Sequence, residues 1–344
     1  MKNINKIYTK LFVVLFACSA VLLSCEKPVD IQYLDMDPKV VVESVSEVDS
    51  VMDIRLTYSR WFLSNESFKE ISDADITLKV NGNVVDDITY GKIGESEKIY
   101  YTVNSYVPKE NDELELTIQV PGEEVVTSSC VVPSKPEVSD LNAEEYYEYS
   151  EYESWDYMMD TLVIIKDSNY SAEVSFVLND NPDKHNYYKI EVLGVYDHGV
   201  YVNHQAIENC YFELDDMLLT SDIYTIVEGS SEFYGNEFIF SDEKINGQNY
   251  PMKLKISNYD YYHEYCHTYY LKISELTEDM YRFLQTKTSS SDELNTMLGA
   301  EPTQIFSNID NGIGIFAVSS PKLIKLDINT NNKNNKSKAI KNAL

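Results

Sequence analysis

Ile76-Thr77-Leu78-Lys79-Val80-Asn81-Gly82-Asn83 is an alternating apolar and polar run that ends in an Asn-Gly step. Successive side chains on a strand point to opposite faces, so the alternation suits a half-buried strand. Asn-Gly accepts positive φ, and beside alternating apolar residues it is the strongest short-range hairpin signal. The stretch predicts a β-hairpin with a return strand over 84–90.

The pattern continues on both sides. Val40-Val41-Val42 starts a buried run, and Asp53-Ile54-Arg55-Leu56-Thr57-Tyr58 alternates. Residues 100–103 follow, then Glu113-Leu114-Glu115-Leu116-Thr117-Ile118-Gln119-Val120, which stops at Pro121-Gly122. Residues 124–132 close the set before Pro133. Short strands spaced by roughly 8–12 residues predict an immunoglobulin-like β-sandwich, here over residues 38–135. Within it, Arg60-Trp61-Phe62-Leu63 breaks the alternation and places large apolar side chains in a loop. Trp61 is therefore a candidate partner contact.

Pro133-Ser134-Lys135-Pro136 marks a domain edge, and a second β-rich domain with a few short helices is expected over 136–328. It opens on Glu144-Glu145-Tyr146-Tyr147-Glu148-Tyr149-Ser150-Glu151-Tyr152-Glu153-Ser154-Trp155-Asp156-Tyr157, where acids and aromatics interleave without Gly, Pro or a base. This composition suits a solvated loop or strand edge, or a face for a partner. On the second reading Tyr146, Tyr147, Tyr149, Tyr152 and Trp155 are the contact candidates. Calcium favours carboxylate oxygens, but no Asp-x-Asp-x-Asp-Gly loop is present, and no metal site is expected.

Strands are expected over 161–166, 172–178, 187–196 and 237–240, and a short helix over 212–220. Residues 252–257 and 265–273 look like a hairpin pair. Thr277 caps a helix that begins Glu278-Asp279-Met280, with acids in its first turn. Ser290 and Glu293 form a capping-box pair. Gly312-Ile313-Gly314-Ile315-Phe316-Ala317-Val318 is the final strand, and its glycines suggest a bend or a close backbone approach. Residues 329–344 are rich in Asn and Lys and read as a disordered tail.

The N-terminus carries an address. Lys2, Lys6 and Lys10 precede an apolar run of about 13 residues, short of the ~20 that span a bilayer. Leu22-Leu23-Ser24-Cys25 then has the lipobox arrangement, so 1–24 is expected to be a lipoprotein signal peptide. Cys25 is the expected lipidation site, and 25–37 a tether. Several acyl chains on one residue give stable attachment. Glu26 follows Cys25 where an Asp would favour inner-membrane retention, so a lipid-anchored outer-membrane protein is expected, at the periplasmic face or the cell surface.

The formal net charge of −29 argues against nucleic acid and against anionic lipid as partners. With 28 Tyr and 2 Trp, the chain is rich in the aromatic residue that suits half-buried strands and wet binding faces. Cys130, Cys210 and Cys266 follow the anchor, an odd count that excludes a full disulfide framework. His263, Cys266 and His267 cluster, but a strand reading turns Cys266 away from the two histidines. No Gly-x-Ser-x-Gly elbow, phosphate-binding loop, dinucleotide fingerprint or His-Glu-x-x-His occurs. The expectation is a protein that is not an enzyme and uses no cofactor.

Several pieces together resemble a family of outer-membrane lipoproteins, domain of unknown function 4249. They are Pro38-Lys39-Val40-Val41-Val42-Glu43, Ile71-Ser72-Asp73-Ala74-Asp75-Ile76-Thr77-Leu78, Asn186-Tyr187-Tyr188-Lys189-Ile190 and Phe240-Ser241-Asp242-Glu243-Lys244-Ile245-Asn246-Gly247. The most specific is Ile305-Phe306-Ser307-Asn308-Ile309-Asp310-Asn311-Gly312-Ile313-Gly314-Ile315-Phe316, preceded by Tyr281-Arg282-Phe283-Leu284. The resemblance implies an accessory binding component beside a TonB-dependent receptor, with a small-molecule or peptide ligand that it does not specify. It supplies no catalytic residues. The alternative expectation is a structural or adhesive surface lipoprotein without a transport partner.

Overall fold

The computed structural model describes residues 37–60, 64–92, 98–156, 161–197, 205–220, 232–256, 266–290 and 304–328. Cys25, Trp61, the Ser290–Glu293 capping pair and the 329–344 tail are sequence expectations that fall wholly or partly outside them. Met1–Pro38 with Arg60–Glu66 forms one compact unit; Lys39–Ser59 with Ser67–Leu344 forms the other. The larger unit holds the helices and strands of the described residues. Its regular structure is mostly β.

β1 (Val40–Glu47) and β2 (Met52–Tyr58) run antiparallel, with Val42 opposite Leu56. β6 (Ile99–Val103) pairs with β2, and β5 (Ile88–Lys92) with β6. Facing them is a sheet of β4 (Asn83–Val85), β3 (Asp75–Val80), β7 (Glu113–Gln119) and β8 (Val126–Val131), in that order. The alternation read from the sequence is the burial pattern. Val40, Val42, Ile54 and Leu56 from one sheet meet Leu78, Leu114, Leu116 and Ile118 from the other in one core. Each such side chain contributes about 1.5–3 kcal/mol when fully buried, which is what holds the sheets face to face. Lettered in chain order, the sheets read A-B-E-D and C′-C-F-G, the strand order of immunoglobulin-type sandwiches.

The Asn-Gly hairpin forms. Val80 pairs with Asn83, and Asn81 and Gly82 have φ of +50° and +78°, the signature of a type I′ turn. The return strand is not continuous to Tyr90, however. β4 ends at Val85, and β5 begins at Ile88 in the opposite sheet. Asp87, at φ +73°, turns the chain across, and its carbonyl accepts from the Asn104 amide (3.0 Å) and side chain (3.2 Å). Between β6 and β7 the Tyr106 hydroxyl donates to Asp112 (2.7 Å), which also accepts from Asn81 (2.8 Å). Burial alone would raise the Asp112 carboxyl, but these hydrogen bonds lower it.

A second core lies between two further layers. β14 (Glu232–Gly235), β13 (Phe212–Asp215), β16 (Asn249–Ile256), β10 (Thr161–Asn179) and β9 (Glu137–Asp156) form a five-stranded sheet in that order. Opposite stand β11 (Tyr187–Asp197) and β17 (Cys266–Leu276), with β12 (Gln205–Cys210) and β15 (Glu237–Ser241) both pairing with β11. Val174, Phe176, Leu254 and Ile256 pack against Ile190, Val192, Leu271 and Ile273.

β18 (Ile313–Leu326) ties the two cores. It runs parallel to β1, with Val42 beside Gly314, and antiparallel to β17, with Ile273 beside Lys322. One sheet therefore continues from β12 to β5. Phe316 and Val318 enter the first core and Leu326 the second. On the opposite face Ile315 and Ala317 cover the helix Glu278–Ser290 through Met280. The boundary expected at 135/136 falls between β8 and β9.

Three local expectations change. Among the described residues, those of 252–257 and 265–273 do not pair with each other: β16 and β17 bury alternate residues into the same core from opposite sides. Residues 212–220 are a strand followed by the short helix Met217–Thr220, because Asp216 accepts from the Leu218 and Leu219 amides (both 3.1 Å) and starts the helix there. Residues 161–166 and 172–178 belong to one strand, held in register by β9 along its length. Cys130 lies in the first core and Cys210 in the second, so these two do not bridge. Burial pushes the Cys130 thiol up to about 12.

Candidate functional site

The acidic, aromatic stretch lies within β9, a strand of 20 residues, up to Asp156; Tyr157 is outside the described residues. Near its base, Ser175 pairs with Asn142 and Val177 with Ser139, which leaves an extra residue on β9; Asp140 takes φ +51° there. This bulge redirects the strand. β16 accompanies β10 only from Ala172 to Asn179. Among the described residues, 146–156 and 161–171 therefore pair only with each other, as a two-stranded ribbon.

The ribbon exposes what a strand usually buries. Trp155 stands opposite Leu162, and Glu153 opposite Ile164, on one face. Tyr152 stands opposite Ile165 on the other. Trp155 is 46% exposed, Leu162 53%, Ile164 63% and Tyr152 50%, so both faces carry apolar surface in water. No Lys, Arg or His occurs from Glu137 to Asp156, and Glu151 and Glu153 are exposed. The site is an anionic surface with exposed aromatic and aliphatic side chains, suited to contact.

Of the expected contact residues, Tyr152 and Trp155 are thus placed on this ribbon, on opposite faces. Tyr146, Tyr147 and Tyr149 are on the same strand, opposite Ser171, Tyr170 and Ser168; their side chains, like Trp61 and Cys25, are outside what the structure describes. Leu162, Ile164 and Ile165 were not among the candidates read from the sequence. Their unbroken run with Val163 reads as a strand buried on both faces, and only the register sets them beside Tyr152 and Trp155.

Elsewhere, buried and half-buried polar groups form two locks. In the first, Asp180 accepts from the Tyr188 hydroxyl (2.6 Å) and the Gly247 amide (2.7 Å). Asp242 accepts from the Asn186 amide (2.8 Å), whose carbonyl accepts from the Asp242 amide (2.9 Å). Glu275 meets Lys184 at 2.6 Å. Burial raises the Asp242 and Glu275 carboxyls despite His185 and Lys184 beside them, and burial with Asp180 nearby raises the Tyr188 hydroxyl. In the second lock, Asn308 donates to the Phe316 carbonyl (2.8 Å) and accepts from its amide (3.0 Å). Ser128 donates to the Asn308 carbonyl (2.8 Å), and the Arg282 guanidinium lies 4.3 Å over the Phe306 ring.

Asn186, Tyr188, Asp242 and Gly247 of the first lock and Arg282, Phe306, Asn308 and Phe316 of the second come from the pieces that carry the family resemblance, whereas Asp180, Lys184, Glu275 and Ser128 lie outside them. A family model described as a domain of unknown function, DUF4249, matches residues 26–323. The chain belongs to this family. No curated protein matches it, and no solved structure does. In this DUF4249 protein, Asn186, Tyr188, Asp242 and Gly247 gather at one end of the second core, and Asn308 and Gly314 fasten β18. These residues act on the fold. No group of three or more His, Cys, Asp or Glu that could hold a metal occurs among the described residues.

Proposed function

We propose that this protein is a non-enzymatic lipoprotein, held to the outer membrane by lipid on Cys25, that serves as an accessory binding component of a TonB-dependent uptake system. The observation that carries the binding role is the ribbon of β9 and β10. Leu162-Val163-Ile164-Ile165 has the composition of a strand covered on both faces, yet Leu162, Ile164 and Ile165 are exposed. Such a surface favours being covered by a partner. The lipobox supports the anchor, and the family region begins at residue 26, directly after Cys25. The receptor partner rests on the family resemblance.

Crosslinking in intact envelopes, followed by purification of the tagged protein, tests this reading. A TonB-dependent outer-membrane receptor is expected in the crosslinked species. Recovery of the monomer alone at native expression overturns it.

A further inference from the structure

We propose that the outer edge of β9 accepts an extended, basic segment of a protein partner as an added strand. This rests on the binding role proposed above and names its mode.

β9 is the last strand in the order β14-β13-β16-β10-β9. β10 fills one of its edges, and among the described residues no strand pairs with the other. Alternate residues of an edge strand turn their N–H and C=O groups outward, a template for another chain. Proteins usually blunt such an edge with Lys, Pro or a bulge. Residues 144–156 contain no Lys, Pro or Gly, and the bulge lies at the base, beside Asp140.

What this strand has is carboxylate: Glu144, Glu151 and Glu153 are exposed along it. A second copy laid edge to edge would set these acids against their own kind, and like charges directly opposite are destabilising. The charge that blocks self-pairing attracts Lys and Arg. Trp155 and Tyr152, on opposite faces, offer apolar contact to alternate residues of the incoming strand. Main-chain hydrogen bonds would supply affinity, and alternate side chains the selectivity for basic sequences.

The test uses the full-length protein in detergent and three labelled ten-residue peptides. One alternates Lys and Val, one alternates Glu and Val, and one is the Lys-Val peptide with N-methyl groups on alternate backbone nitrogens. The Lys-Val peptide is expected to bind at least about tenfold more tightly than either of the others. Amide exchange over 146–156 should slow when it binds. Glu151→Lys with Glu153→Lys, folded with an unchanged melting temperature, should weaken the preference for the Lys-Val peptide. Equal binding of the N-methylated peptide overturns strand addition, and an undiminished Lys preference in the charge-reversed variant overturns the recognition of basic sequence. If no peptide binds but the ribbon still crosslinks to an envelope protein, strand addition fails and the binding role stands. If both fail, both readings fall.

Discussion

Gly314 lies against the backbone of Val42 so closely that a Cβ on it would sit 1.9 Å from the Val42 carbonyl oxygen. Its φ of +120° is a conformation that L side chains rarely adopt. The two residues are partners in the parallel pairing of β18 with β1, the junction at which the last strand joins the first. Gly314→Ala should cost about 3 kcal/mol or more, because the clash is with backbone that cannot rotate away. Gly91→Ala, where nothing lies within 4 Å of an added Cβ, should change stability by less than about 0.5 kcal/mol. Denaturant unfolding of the two variants checks the contrast.

Tyr188 is 2% exposed and donates to Asp180. Tyr188→Phe keeps the ring but removes one of the two donors to a buried carboxylate. A loss of about 1–3 kcal/mol is expected in equilibrium unfolding. An unchanged midpoint would show that the first lock does not stabilise the second core.

Asp242 and Glu275 have raised carboxyl pKa values, with burial as the largest cause. The folded state thus keeps their protons to higher pH than the unfolded chain does. From the ordinary carboxylate range up to the raised folded values, the folded state binds more protons, and stability falls as pH rises. That stability is regained as pH falls back through the same window. Asp180, Lys184 and His185 face these groups and stay in place in Asp242→Asn, which should flatten the slope. Across the acid range, the melting temperature of the wild type relative to the variant should fall as pH rises; a constant difference would remove Asp242 from the account.

Cys25→Ala should move the protein from the detergent phase to the aqueous phase in a phase-partition assay. The strongly acidic chain has no charge attraction to anionic lipid. Retention in the detergent phase would assign membrane attachment to another part of the protein.

The sandwich was legible because each strand is wet on one face. Leu114, Leu116 and Ile118 alternate with Glu113, Glu115 and Thr117, and Asn81-Gly82 permits one turn type. The partnership of β18 with β1 was less so: the glycines announce a close approach but do not say to what. The β9–β10 ribbon was hidden for a different reason. Asp167-Ser168-Asn169 has the composition of a turn, so the sequence splits β10 in two, whereas its polar residues pair across with Ser150, Tyr149 and Glu148. The acidic aromatics stood out from composition alone, while their apolar neighbours Leu162 and Ile164 needed the register. Asn308 resembles any loop asparagine until Phe316 is seen to meet it with both backbone groups.

The ribbon is proposed as a contact surface in the envelope. A photoreactive phenylalanine analogue at position 155, with a control at Leu323, which is 56% exposed on β18, tests it most directly. In intact cells, position 155 should give a discrete heavier species on illumination, and position 323 should not. A monomer alone at position 155, with the folded protein present and anchored, would contradict it.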